Sequence, residues 1–437
     1  MTPSWREATL GEVTDIASGG TPSKQNPRYW DGTIPWISAK DMKVRFLADS
    51  EDHITEAGLK SGVRLAPAKA VLLLARGMTL LNDVPICVTV RPMAFNQDVK
   101  AITAKNGLAQ EYLPYLLFAA KARLLSLVDL AGHGTGRLNT DELRNLRILL
   151  PPESEQRAIA RVLRALDDKI ELLQRTNATL EEIARAIFKS WFVDFDPIRG
   201  NAEHRNVWSL SISEPFSRLF HYHGAREIPI GWDVKTIEHL AVICGGGTPS
   251  TGNPAFWDAG THFWATPKDL SALQVPILRE TERRITDLGL AQVSSGLLPV
   301  GTVLLSSRAP IGYLAITDAP VAINQGFIAM KPRPGVPSAF LLLWAEWAQT
   351  EILSRANGST FQEISKSNFR GIEVVSPPNK ILQLFDEIVR PMFQRIALNE
   401  RQSTELATIR DALLPRLTSG DVRVSAAGCL PNETEAQ

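Results

Sequence analysis

The chain has 437 residues, 44% hydrophobic and 22% charged, a composition that suits globular folding; at about 150 residues per domain the length suggests roughly three units. Lysine plus arginine and aspartate plus glutamate number 47 each, so net charge alone does not signal a nucleic-acid partner, which usually leaves a basic excess. Only residues 1–152 lean that way, with 18 basic against 15 acidic side chains. Three scattered cysteines, Cys87, Cys244 and Cys429, exclude a disulfide scaffold and a zinc ribbon. No apolar run approaches the roughly 20 residues of a membrane span, and Met1 to Glu7 lacks the apolar stretch of a secretion signal. A cytoplasmic protein without membrane contact is expected.

In chain order, the first recognisable element is also the start of a repeat. Residues 16–31 (IASGGTPSKQNPRYWD) and 243–258 (ICGGGTPSTGNPAFWD) match at 10 of 16 positions without a gap. The register continues: Trp36 answers Trp264, Lys40-Asp41 answers Lys268-Asp269, and Ile54-Thr55 answers Ile285-Thr286. Arg76 answers Arg308, Asn96-Gln97 answers Asn324-Gln325, and Pro151-Pro152 answers Pro377-Pro378. A large unit has been duplicated; this is not an array of short repeats. Within each copy, Val71–Leu74 and Val303–Leu305 read as short buried strands, while Glu111–Val128 and Ser338–Ser354 carry helical spacing. With many Gly/Pro turns, the pattern predicts a compact α+β domain at 1–152 and again at 228–378.

A long helix follows each copy. Ile159, Leu163, Leu166, Ile170, Leu173, Asn177, Leu180, Ala184, Ile187 and Trp191 recur at spacings of four and three, the seam of a coiled coil. Glu153 and Glu155 suit the first turn, and Pro197 is expected to close the helix. The equivalent seam of the second helix, 379–420, is Phe385, Val389, Met392, Ile396, Asn399, Ser403, Leu406, Arg410 and Leu413, with Pro391 expected to kink it. From Gln156 to Trp191 such a helix spans about 54 Å. Two of them bury their stripes most economically as an antiparallel pair that separates the domains, with Asn177 and Asn399 fixing register. Between the copies, 197–227 reads as a connector after a helix over 153–196, and 421–437 as a frayed tail.

The duplicated Gly-Gly-Thr-Pro-Ser…Asn-Pro-x-aromatic-Trp-Asp pattern resembles the target-recognition domains of type I restriction–modification specificity subunits. So do the Pro151-Pro152-Glu153-Ser154-Glu155-Gln156 approach to the first long helix, its Phe188–Pro197 exit, Ile228–Trp232 at the start of the second copy, and Leu413–Asp421. The second helix departs from the pattern, since Asn379-Lys380-Ile381 replaces the Glu-Gln approach. The resemblance implies a pseudo-two-fold α+β architecture in which two target-recognition domains each read half of a split, asymmetric duplex target, with the helices as ruler between them. It also implies two methyltransferase subunits and two motor-nuclease subunits as partners. S-adenosylmethionine, ATP and magnesium would bind those partners, not this chain. Two readers on one face of a duplex meet grooves about 34–36 Å apart.

The chemical motifs support no catalytic centre. Gly19-Gly20 and Gly245–Gly247 lack the Gly-Lys-Ser/Thr of a phosphate loop and read as turns. Asn26-Pro27-Arg28-Tyr29 only faintly echoes an amino-methyltransferase motif, Asp98-x-Lys100 has no supporting carboxylates for nuclease chemistry, and His221-Tyr222-His223 has no further metal ligand at typical spacing. A stand-alone DNA adenine methyltransferase or nuclease is therefore the alternative rather than the main reading. Gly132–Arg137 offers His133, Thr135 and Arg137 to phosphates or a guanine edge. The DNA-contact candidates are Lys24, Gln25, Arg28, Lys40, Lys43, Arg45 and Arg137 in the first domain, and Thr251, Lys268, Ser359 and Gln362 in the second. Lys40-Asp41 and Lys268-Asp269, present in both copies, read equally well as internal ion pairs.

Overall fold

The computed structural model describes residues 5–130, 134–202, 219–224, 226–308, 310–358 and 362–424. They fall into two units, one formed by residues 1–170 with 404–437 and the other by residues 171–403. Among the described residues, no helix is long and apolar enough to cross a membrane.

In the first unit a five-stranded sheet runs in the order Thr14–Ser18, Val99–Ala104, Val71–Leu74, Ile86–Thr89, Phe46–Leu47. Its last pair is parallel and the others antiparallel. Val71–Leu74 is apolar at every position because both its faces are covered, and all four residues are fully buried. The helix-patterned stretch after Glu111 forms two short helices, Leu113–Ala119 and Lys121–Ser126. These share one apolar core with the sheet and with Ile159 and Leu163 at the start of the first long helix. A smaller sheet, in the order His53–Ile54, Trp30–Ile37, Met93–Phe95, Leu65–Ala66, carries the repeated Trp-Asp segment. Finally Arg6–Thr9 pairs with Arg147–Leu150, clasping the two ends of the domain just before Pro151.

The second unit repeats this plan. Its five strands lie in the order Ala241–Cys244, Phe327–Pro332, Val303–Ser307, Ile311–Thr317, Ile277–Leu278, again with the last pair parallel. Ser338–Trp347 and Gln349–Ser354 are the paired short helices, and Asp233–Thr236 with Glu373–Ser376 is the clasp. The small sheet keeps Arg283–Ile285, His262–Ala265 and Val321–Ile323, and a single bridge from Leu298 stands where the first copy has a fourth strand.

The long helices are Glu153–Phe192 and Asn379–Ser419. In each unit a stretch of one faces a stretch of the other, running antiparallel. In the first unit Glu155 meets Arg423, just past the second helix, while Asp167 meets Arg410. In the second, Asn177 meets Asn399 while Phe188 meets Phe385. Ile159, Leu163, Ile170, Leu173, Asn177, Ala184 and Trp191 are buried, as are Phe385, Val389, Ile396, Asn399, Ser403 and Arg410. Leu166, Leu180, Ile187, Met392, Leu406 and Leu413 are half-buried at the edge of the stripe. Asn399 donates from Nδ2 to Asn177 Oδ1 at 2.8 Å.

Three details differ from the sequence expectation. Pro197 does not close the first helix, which ends at Phe192; the chain passes Phe195 in the left-handed region (φ 58°) and starts a short helix, Asp196–Ala202, where Pro197 takes a first-turn position that needs no N–H donor. The second helix stays helical through Pro391, which lies on an exposed position, so the seam spacing on either side survives. The tail also remains packed for longer than composition suggests. Val424 is buried in the first unit's core, and the Arg423 guanidinium lies 5.2 Å from the Trp5 ring.

The motifs flanking the helices have clear physical roles. Gln156 is fully buried: its amide donates to Gly107 O at 2.9 Å and Pro151 O at 2.8 Å, and its Oε1 accepts from Ala109 N at 2.7 Å. It fastens the helix start to the domain. Leu382, also buried, fills the equivalent place in the second helix with an apolar contact. At the far end of the first helix, Phe188, Trp191, Phe192 and Phe195 enter an aromatic cluster with Trp232, Phe340 and Phe385. There Phe192 lies 5.0 Å from both Phe340 and Phe385.

Candidate nucleic-acid interface

The repeated motif builds the same loop in both units. Asn26 accepts from the Arg28 amide and Asn253 from the Ala255 amide, capping one-turn 3-10 helices that open with Pro27 and Pro254. Trp30 donates to Ser23 O and Trp257 to Ser250 O, while Trp36 donates to Gly20 O and Trp264 to Gly247 O. The two tryptophans of each copy stack edge to face at 5.2 and 5.0 Å. Gly19 and Gly246 are required by close approach: a Cβ would lie 2.1 Å from Phe95 O and 1.8 Å from Ile323 O. The glycine run is thus a packing device. Asp41 and Asp269 belong to the same framework, each accepting from the backbone amide and hydroxyl of Ser38 or Thr266.

Around this framework the structure gathers some of the candidates and scatters others. Lys24 and Lys40 line a cavity of about 340 Å³ with Thr21, Trp36, Ser38, Asp52, Asn96 and Gln97. Gln97 also lines an adjoining cavity of about 290 Å³ with Arg76, Asp98, Lys100, Arg137 and Thr140. Lys24, Lys40 and Arg137 therefore share one face of the first unit. Gln25 and Arg28 are exposed on the loop beside Lys24, and Lys43 is exposed further along.

The lysines common to both copies are paired, though not with the aspartate next in sequence. Lys40 Nζ lies 3.0 Å from Asp52 and 3.1 Å from Glu51, and these hydrogen bonds hold its pKa above the ordinary lysine value. Lys268 Nζ lies 2.7 Å from Glu282, with the same consequence.

Arg45 is placed differently from the other basic candidates. It is half-buried against the helix pair of its own unit, 3.1 Å from Asp411 and 3.7 Å from Asp167, with its guanidinium 4.6 Å from the Phe118 ring. Burial, reinforced by the neighbouring Arg410, lowers its pKa. Its observed task is bracing. In the second unit Thr251 and Gln362 are exposed, while Ser359, like His133 of the first, lies outside the described residues.

Sequence reasoning did not single out Arg76, Gln97 or Lys100 as a group. Arg76 and Gln97 are shared by both copies and so read as framework, and Lys100 was weighed only as half of a metal motif. The strand pairing that sets Arg76 opposite Arg137 has no local sequence signal. Among the described residues, no group of three or more His, Cys, Asp or Glu side chains is placed to hold a metal ion.

Two copies of one mixed α/β domain, each followed by a long helix with a polar-spotted seam, define a duplicated recognition scaffold. The family model for the type I restriction modification DNA specificity domain matches residues 3–182 and 229–408, and the chain belongs to that family. The MjaIX type I restriction enzyme specificity subunit of Methanocaldococcus jannaschii is 28% identical over 429 residues, spanning 96% of this chain and 94% of that one. The EcoR124I/EcoR124II specificity subunit of Escherichia coli is 33% identical over 181 residues, 41% of this chain and 43% of its own. In fold, the chain is similar to the crystal structure of the type I restriction–modification S subunit from M. genitalium, with a TM-score of 0.60 at 14% identity, covering 96% of this chain and 99% of that one.

Proposed function

We propose that this chain is the DNA-recognition member of a type I restriction–modification complex and performs no chemistry itself. Each domain reads one half of a bipartite, asymmetric target, and the long helices set the unread spacer and dock the methyltransferase subunits. The observation that supports this reading best is a common framework carrying different polar surfaces. The Gly-Thr-Pro-Ser loop, the tryptophan pair and the Asp41/Asp269 caps are the same, while Lys24, Arg28 and Arg137 are replaced in the second copy by Thr251, Ala255 and Glu363. Different polar groups on one scaffold suit two different half-sites.

Two methyltransferase and two motor-nuclease subunits complete the assembly, and S-adenosylmethionine, ATP and magnesium bind to those subunits. Basic partner surfaces then supply phosphate neutralisation that a chain of zero net charge does not. The test is to express the chain with its partner subunits and map methylated adenines across the genome. A two-part motif with an unread spacer is the expected result, and exchanging one domain for that of a relative should change one part only. A continuous motif, or methylation by this chain without partners, would contradict the reading.

A further inference from the structure

The first unit holds two arginines in an arrangement that opposes its own stability. Gly136–Leu138 is the middle strand of a three-stranded sheet between Val128–Leu130 and Arg76–Gly77, and its register sets Arg137 directly opposite Arg76. Like charges at directly opposed cross-strand positions repel. Both side chains are exposed, and no described residue forms a hydrogen bond or ion pair with either guanidinium. Asp129, the other cross-strand neighbour of Arg137, makes no ion pair with it among the described residues. Lys100 lines the same cavity, its Nζ 2.6 Å from Ser18 Oγ. Burial, followed by the nearby Arg144, lowers its pKa, Asp98 opposes the shift, and Arg137 adds to it.

The second unit resolves the same position. Glu363 stands in place of Arg137, bridges to Arg308, the counterpart of Arg76, and lies 3.8 Å from its guanidinium. Ile328 replaces Lys100, but Lys366 reaches Gly245, the glycine that stands where Ser18 does. Each unit therefore keeps one lysine there. Among the described residues, the difference comes down to an arginine pair without a carboxylate partner against an arginine–glutamate pair.

We propose that Arg76, Arg137 and Lys100 form a clamp for one phosphodiester oxyanion of the duplex backbone, present in the first unit and absent from the second. This rests on the DNA-recognition reading above. A guanine edge offers two acceptors, which one guanidinium satisfies. Two guanidiniums and an ammonium around a cavity of about 290 Å³ instead match a compact, charge-dense oxyanion, which also relieves the repulsion between the arginines.

The experiment measures binding of the full chain, with its methyltransferase partner, to a duplex carrying the mapped target and to a scrambled duplex, across a series of salt concentrations. R76Q and R137Q should each weaken binding to both duplexes by the same factor, roughly tenfold. Each should also lower the slope of log affinity against log salt, and the two together by up to about one, the share of a single phosphate. R137K should keep most of the wild-type slope. E363R, which gives the second unit the same arginine pair, should raise the slope by about one. R308Q should leave the slope unchanged, because Glu363 already occupies that guanidinium. Unaltered slopes in R76Q and R137Q overturn the clamp, and so does a loss confined to the target duplex or to one base position. If the wild-type complex does not distinguish the two duplexes, it is the DNA-recognition reading that fails instead.

Discussion

Asp167 and Arg410 occupy the seam of the first unit with a 2.8 Å ion pair, both side chains at least nine-tenths buried. The equivalent positions of the second unit, 226 residues away in either direction, hold Phe393 and Ala184, buried in one apolar cluster. The same helix packing is thus completed by charge in one place and by hydrocarbon in the other. Tyr115 donates to Asp167 at 3.1 Å and Arg45 approaches it at 3.7 Å, so the carboxylate is satisfied by its own unit's domain as well as by the facing helix. Buried pairs of this kind rarely exceed a well-packed apolar pair in stability, but they penalise wrong partners heavily. Copies of the first helix paired with each other would set Asp167 against Ala184. Copies of the second would set Arg410 against Phe393. The contrast favours pairing of unlike helices.

The aromatic cluster of the second unit is the sharpest place to break this comparison. Phe192→Ala removes a ring that touches Phe340 and Phe385 at 5.0 Å and Trp232 at 5.9 Å. The expected loss is about 3–5 kcal/mol, read by denaturant unfolding of the full chain. An effect below about 1 kcal/mol would mean that the exit motif of the helix is not part of the core.

The charged seam carries a comparable penalty when only one partner is removed. Asp167→Ala leaves Arg410 buried, retaining only the half-exposed Asp411 as a carboxylate partner, and should cost about 3–5 kcal/mol. The double variant Asp167→Phe with Arg410→Ala brings in the second unit's two seam residues and should recover part of that loss, the Tyr115 hydroxyl then lacking its acceptor. If the double variant is as unstable as the single, the two ends of the seam are not interchangeable and the comparison fails. Gln156→Leu, which installs the residue of the second helix, should cost about 1–3 kcal/mol because the buried Ala109 amide loses its acceptor.

The seam, the duplication and the α+β class were legible because they depend on periodicity and identity, which a single sequence carries. The spacing of Ile159 through Trp191 marks one buried stripe whatever the neighbours are. Charge partners were not legible in the same way. Arg410 was read as a seam position, yet nothing near it in sequence announces Asp167, 243 residues earlier. Arg45 looked like a free basic side chain until the fold set it beside Asp411. Repeat comparison misled at Arg76 for a related reason. It flags what the copies share, whereas the charge imbalance arises from a shared residue whose cross-strand neighbour alone has changed.

The lysines common to both copies give the smallest and most symmetric effect. Lys40 and Lys268 each bind carboxylates from an exposed position, with side chains 41% and 77% exposed. Solvent screens such pairs, so Lys40→Met and Lys268→Met should each leave the unfolding stability nearly unchanged. The proposed DNA contact is the sharper readout. A lysine already shared with a carboxylate releases little when a phosphate arrives, so both variants should lower the salt slope by less than Arg137→Gln does. Equal, small changes in the two units would mark these lysines as framework. A loss at Lys40 as large as that at Arg137 would show instead that the Lys24–Lys40 cavity and the arginine cavity, joined at Gln97, grip the backbone together.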